Sequence, residues 1–163
     1  MLRHFILTFA MAGLTTGLAA AQDLRDFGFT EGWNIMVDPQ MGNGCLIQRA
    51  VSENSVVRIG YDATNTRGYV TVFDRKWGQI RSGQTYPVRF DLDGQSYEAT
   101  ATGFQLGNVP GAGIFFTDRA FLDDIAKKRV MSIYGQNGHV MDINLHGSAN
   151  ALKHARDCQA QQG

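Results

Sequence analysis

The chain has little of what most functional signatures are made from. Of its 163 residues only two, Cys45 and Cys158, are cysteines. No Cys-x-x-Cys pair, His-Glu-x-x-His segment or dense acidic loop occurs, so no metal-ligand set and no cofactor is implied. No Gly-x-Ser-x-Gly elbow is present to present a serine nucleophile. Basic residues form no block and acidic residues no tail. A nucleic-acid partner, which needs clustered Lys and Arg to neutralise phosphates, is therefore disfavoured. No internal repeat, low-complexity tract or linker divides the chain.

What is there begins with an address. Arg3 and His4 precede an apolar stretch over residues 5–18, and Ala19-Ala20-Ala21 offers a small-residue cleavage site before Gln22. This is the pattern of a secretory signal peptide over residues 1–21. The stretch is short for a bilayer span and is interrupted by Gly13, Thr15 and Thr16. No cysteine near the cleavage site would take a lipid. Residues 22–163 are then expected to form a single periplasmic or secreted domain, with no stable membrane insertion after leader removal. Arg3 is the only Lys, Arg, Asp or Glu among the first 21, leaving fourteen basic against fifteen acidic residues and a net charge of −1. That balance gives no reason to dock on an anionic membrane. In an oxidising compartment Cys45 and Cys158 are expected to pair, closing a long loop that contributes roughly 4–5 kcal/mol in the chain-entropy model.

Residues 84–104 are the most legible segment. Asp93-Gly94 tolerates the two positive φ angles of a type I′ turn, which marks a two-residue hairpin. Counting outward sets Leu92 opposite Gln95, Phe90 opposite Tyr97, Val88 opposite Ala99 and Tyr86 opposite Ala101 on one face. Tyr86, Val88, Phe90 and Tyr97 are expected inside. On the other face Arg89 meets Glu98 as an opposite-charge pair, and Asp91 faces Ser96.

Further strands are expected over residues 33–37, 45–51, 55–61, 67–73, 114–116, 130–134 and 139–145. The strand over 67–73 is apolar on both faces, which places it centrally. Residues 23–30 lack a sustained period and read as a mobile lead-in, and glycine-rich residues 107–113 as a flexible loop. Thr117 or Asp118 starts a short helix ending near Lys128. Ser148 caps a closing helix through Cys158, with Ala151, Ala155 and Cys158 on one face. The fold class is mostly β: an antiparallel β-sandwich or barrel with two short helices, one C-terminal.

Candidate chemistry is sparse. Asp142 and His146 are four apart on a strand and share a face, the placement of an acid–base pair, though a solvated polar face opposite Met141, Ile143 and Leu145 explains them as well. His154 and Cys158 have metal-pair spacing on the last helix, which a disulfide would remove. Arg75, Lys76, Trp77 and Arg81 combine the residue types common at binding hot spots, while Trp77 serves equally to close the core.

Trp33, Cys45, the run from Trp77 through Gly83 to Tyr86, and the closing Leu145, Gly147, Ser148, Ala151 and Cys158 form a pattern. It resembles a diffuse family of small exported proteobacterial proteins of unassigned function. More distantly, the layout is similar to the invasion-associated locus B proteins, periplasmic β-sandwiches linked to host-cell entry. The resemblance implies a compartment and a scaffold and carries over no catalytic residue. Function is accordingly expected to be non-catalytic binding or accessory work in the cell envelope, with an envelope protein as partner and Trp77, Arg75 and Arg81 as the surface. A small hydrolase using His146 and Asp142, or an inhibitor of a periplasmic enzyme, are the alternatives.

Overall fold

The computed structural model describes residues 23–162, so the signal-peptide expectation lies outside the described residues. Ten strands form one antiparallel sheet: β1 (Arg25–Thr30), β2 (Trp33–Asp38), β3 (Gly44–Ala50), β4 (Ser55–Asp62), β5 (Arg67–Asp74), β6 (Thr85–Leu92), β7 (Gln95–Leu106), β8 (Val109–Phe116), β9 (Val130–Gly135) and β10 (Gly138–Asn144). Their order is β1-β2-β3-β4-β5-β8-β7-β6-β9-β10, with β5 in the middle, and the sheet does not close. Helix α1 (Ala120–Ala126) and helix α2 (Ser148–Ala160) complete the fold.

One face of the sheet wraps around a single core. Ile35, Ile47, Ile59, Val70, Leu92, Met131 and Ile143 come from seven strands yet belong to one buried cluster, joined by Ile125 of α1 and Ala151, Leu152 and Ala155 of α2. A flat sheet cannot bring β2 and β10 into one cluster, so the sheet must bend back on itself. The indole N–H of Trp33 on β2 donates to the carbonyl of His146, just past β10, at 2.9 Å. The two ends of the sheet thus approach each other without strand pairing. Cys45 and Cys158 form the expected disulfide, with Cα atoms 6.1 Å apart, fixing α2 to β3. Among the described residues no helix is long and apolar enough to cross a membrane.

The hairpin register agrees at every counted pair, and Asp93 and Gly94 have φ of 49° and 86°. One expected contact differs. Arg89 lies opposite Glu98 but directs its guanidinium to Asp91 at 3.0 Å, and lies 3.8 Å from the Tyr134 ring centroid. The reason is β9, which pairs with β6 and puts Tyr134 beside Arg89; the sequence around the hairpin holds no sign of it.

Three local expectations are corrected. Residues 25–30 are a strand, joined to β2 by a tight turn at Glu31-Gly32 with φ of 47° and 83°. Most of the glycine-rich 107–113 segment is strand β8, in which Gly111 and Gly113 lie so close to the side chains of Phe73 and Thr71 that no Cβ fits. Ser148 is the first residue of α2 rather than its cap. Gly147, at φ 80° and pressed on Glu31, turns the chain into the helix, and the buried Ser148 hydroxyl has no partner among the described residues.

Two strands are irregular. The β1–β2 register slips at Phe27 and the β9–β10 register at Val140, each a β-bulge with one extra residue.

Candidate apolar cleft

The inner face of β5–β8–β7–β6–β9 is filled unevenly. Toward the Leu92 end of β6, Phe121 of α1 packs edge-on against Phe90, Tyr97 and Phe116 and closes the core. Toward the start of β6 the inward positions on β7 and β8 are small, Ala101 and Ala112, where β5 supplies Val70 and Val72. The missing volume is a cleft of about 310 Å³. Val70, Val72, Val88, Ile114, Met131 and Ile133 line it.

The connection over residues 75–84 straps one side of this cleft. Asp74 anchors its start: one carboxylate oxygen accepts the Lys76 N–H at 2.7 Å, the other the Ser55 hydroxyl at 2.6 Å. The Trp77 N–H then donates to the Asp74 carbonyl and the Ile80 N–H to that of Trp77, two successive turns. At the far end the Tyr86 hydroxyl accepts the Arg81 N–H at 2.9 Å, and Gly83 and Gln84 exchange backbone bonds with Gly103. A Cβ on residue 103 would collide with the Arg81 carbonyl, so glycine there lets the strap lie on β7. Held this way, the strap presents Trp77, Gln79 and Ile80 to the cleft. The opposite wall is the β9–β10 turn, with Gln136, Asn137, His139 and Val140.

Of the residues singled out in sequence, Trp77 is half-buried and lines the cleft, whereas Arg75 and Arg81 are exposed and lie outside its lining. The small inward Ala101 and Ala112, which create the space, were missed. Their signal was visible as alanine at inward positions that other strands fill with Val or Ile.

Asp142 is not brought to His146. Its carboxylate lies 2.9 Å from His139 Nε2. The bulge at Val140 inverts the strand's alternation, so residues 139 and 142 share a face although their spacing is odd. The Asp142 carboxyl is held below the usual carboxylate range by a hydrogen bond from Ser132 and then by His139. The carboxylate therefore stands between serine and imidazole. A nucleophile relay needs the imidazole in the middle, taking the hydroxyl proton, and this order does not provide it. The His146 side chain is exposed, and its backbone carbonyl serves Trp33 and Arg49. Cys158 is spent in the disulfide, so it does not pair with His154 on a metal.

Two further polar features lie away from the cleft. A second hollow, of about 330 Å³, sits between the helices beside Cys45, where Arg119 covers the Tyr61 ring and Arg156 pairs with Asp123. On the outer face of the sheet, burial lowers the pKa of Arg58 and raises that of Tyr69.

No protein-family model matches the chain, and no curated protein matches it in sequence. Among solved structures, invasion associated protein B from Bartonella henselae superposes with a TM-score of 0.56 at 16% identity, covering 85% of this chain and 99% of that one. The two share a fold. This agrees with the distant likeness to the locus B proteins seen in the sequence, and at that identity the likeness extends to architecture alone.

Proposed function

We propose that the chain is a non-catalytic binding or accessory protein of the cell envelope, and that the cleft under Trp77 is its binding surface. The observation that carries this is the composition of the cleft. It is a concave, largely aliphatic space at the edge of a filled core, lined by no Lys, Arg, Asp or Glu, with a few neutral polar groups at its mouth. His139, the imidazole in its wall, has its Nε2 held by the Asp142 carboxylate at 2.9 Å, and the rest of the lining is the make-up of a recognition pocket. Export is supported by the leader pattern of residues 1–21 and by a disulfide of the kind that persists in oxidising compartments. The near-zero net charge speaks against nucleic acid as partner.

Crosslinking in envelope extract tests the reading. Wild-type protein is compared with Trp77→Ala and with Arg75→Ala/Arg81→Ala. Loss of a crosslinked partner or ligand with Trp77→Ala alone supports the cleft. Loss with the arginine variant alone moves binding to the outside of the strap, and an unchanged pattern in both removes this surface from the proposal.

A further inference from the structure

We propose that the cleft takes the alkyl chain of an uncharged amphiphile, about eight to ten carbons long, with a neutral hydrogen-bonding head group at the rim. This rests on the binding reading above and adds the class of ligand.

The strap carries Arg75, Lys76 and Arg81, yet none of them lines the cleft, while its neutral members Trp77, Gln79 and Ile80 do. On the other strands and the β9–β10 turn the lining is again without Lys, Arg, Asp or Glu. The imidazole of His139 reaches the wall, but its Nε2 is engaged by Asp142 at 2.9 Å. A charged group carried into this space would therefore lose its water and meet no free counter-charge, a penalty that selects against both anions and cations.

Gln79, Gln136 and Asn137 each offer an amide that both donates and accepts, which suits hydroxyls, amides or glycosidic oxygens better than a carboxylate or an ammonium. The Tyr86 hydroxyl is already engaged, accepting from Arg81 and donating to Gln84 at 3.0 Å, so the amides are left for a ligand.

At roughly 30 Å³ for each water-sized group, 310 Å³ holds about ten such groups. The floor is formed by aliphatic side chains and Phe90, with Met131 1% exposed at its base, and the one indole stands at the mouth. A peptide is a poorer occupant, because the cleft is walled by strands inside the sheet. Beside the cleft β6 is unpaired with β9 over Thr85–Val88, and Pro87 in that stretch has no N–H to give an added strand.

The test uses the full chain purified with its disulfide intact, and N-phenyl-1-naphthylamine as a neutral fluorescent probe. Saturable enhancement at one site is expected. Octyl glucoside, kept below its micellar concentration, should displace the probe, while octanoate and octyltrimethylammonium, with the same chain length, should do so at least about tenfold more weakly. Ala101→Leu and, separately, Ala112→Leu fill the space from two strands, and each should weaken probe binding at least about tenfold. If one variant fails to fold, the other and the wild-type competition still decide. Equal displacement by the charged detergents overturns the neutral-head assignment. Probe binding that survives both folded leucine variants overturns the cleft as its location. Absence of probe binding, with a Trp77-dependent crosslinked partner still present, overturns the ligand class and leaves the binding reading standing. Absence of both brings down the two together.

Discussion

Breaking the Cys45–Cys158 bond should remove a large share of the stability of this domain. The cysteines are 113 residues apart, so the crosslink closes a loop that spans most of the described chain, and the chain-entropy relation gives about 4.8 kcal/mol for that length. Native packing adds little to this figure. The α2 helix keeps its contacts through buried Ala151, Leu152 and Ala155, and the Gln159 side chain still accepts the Cys45 N–H at 2.8 Å. Against a domain stability of about 5–15 kcal/mol the loss is between a third and nearly all of the total. Equilibrium unfolding in urea, followed by the fluorescence of Trp33 and Trp77, measures it. With a slope of about 2 kcal/mol/M the midpoint should fall by roughly 2 M on reduction, and the slope itself should rise because the freed denatured chain exposes more surface. Reduction leaves the side chains in place, while Cys45→Ala/Cys158→Ala adds the loss of two buried sulfurs, so the variant should be the less stable of the two. A midpoint shift below about 0.5 M on reduction would refute the loop-closure reasoning. It would mean that the unfolded chain already holds residues 45 and 158 together.

Three further outcomes follow from local chemistry. Burial of the Asp62 carboxylate acts to raise its pKa, but hydrogen bonds from Asn65 and the Arg67 guanidinium outweigh it and hold the group below the usual carboxylate range. Its contribution is therefore complete above the unfolded value near 3.9 and is lost as pH falls through the lower folded value; Asp62→Asn should cost about 1–3 kcal/mol at neutral pH and flatten stability against pH in that acid window. Gly103→Ala should drive the strap off β7, lowering stability by about 1–3 kcal/mol and shifting Trp77 emission toward the red, whereas an unchanged spectrum would show that the strap is not held by this contact. The Asp93 carboxylate accepts the N–H groups of Arg129 and Val130 at 3.0–3.1 Å, bracing the hairpin against the start of β9. Asp93→Gly keeps the positive φ, eases its steric cost, frees the unfolded chain and loses those bonds. A net destabilisation of about 1–2 kcal/mol in thermal melts is expected, and a stabilised variant would show the brace to be idle.

The hairpin could be read from sequence because its turn, its register and its alternation are all local and agree. Strand β1 could not, since Gly28 and the bulge at Phe27 break the alternation that announces a strand, and its pairing with β2 restores it only in three dimensions. The start of β8 was hidden for the opposite reason: glycines that suggest a loop are there because Phe73 and Thr71 occupy the space of their missing side chains. The Asp142–His139 contact escaped because a single extra residue reverses which spacings share a face. The cleft was the least legible feature, being made where residues 77–80 meet residues 136–140, partners that only the strand order brings together. Trp77 pointed to it by residue type, while the arginines beside it did not.

An unclosed sheet has two free margins, and here they belong to β1 and β10. These are also the strands that carry the bulges at Phe27 and Val140, while the pairings between the inner strands run without a slip. A second molecule approaching either margin finds a row of backbone donors and acceptors out of step with its own, so growth of the sheet from molecule to molecule stalls at the first contact. The same extra residue that turns His139 toward Asp142 thus also makes β10 a terminus, and the domain can leave its sheet open, with exposed Phe29 on one rim and Val140 on the other, without becoming the template of a fibre.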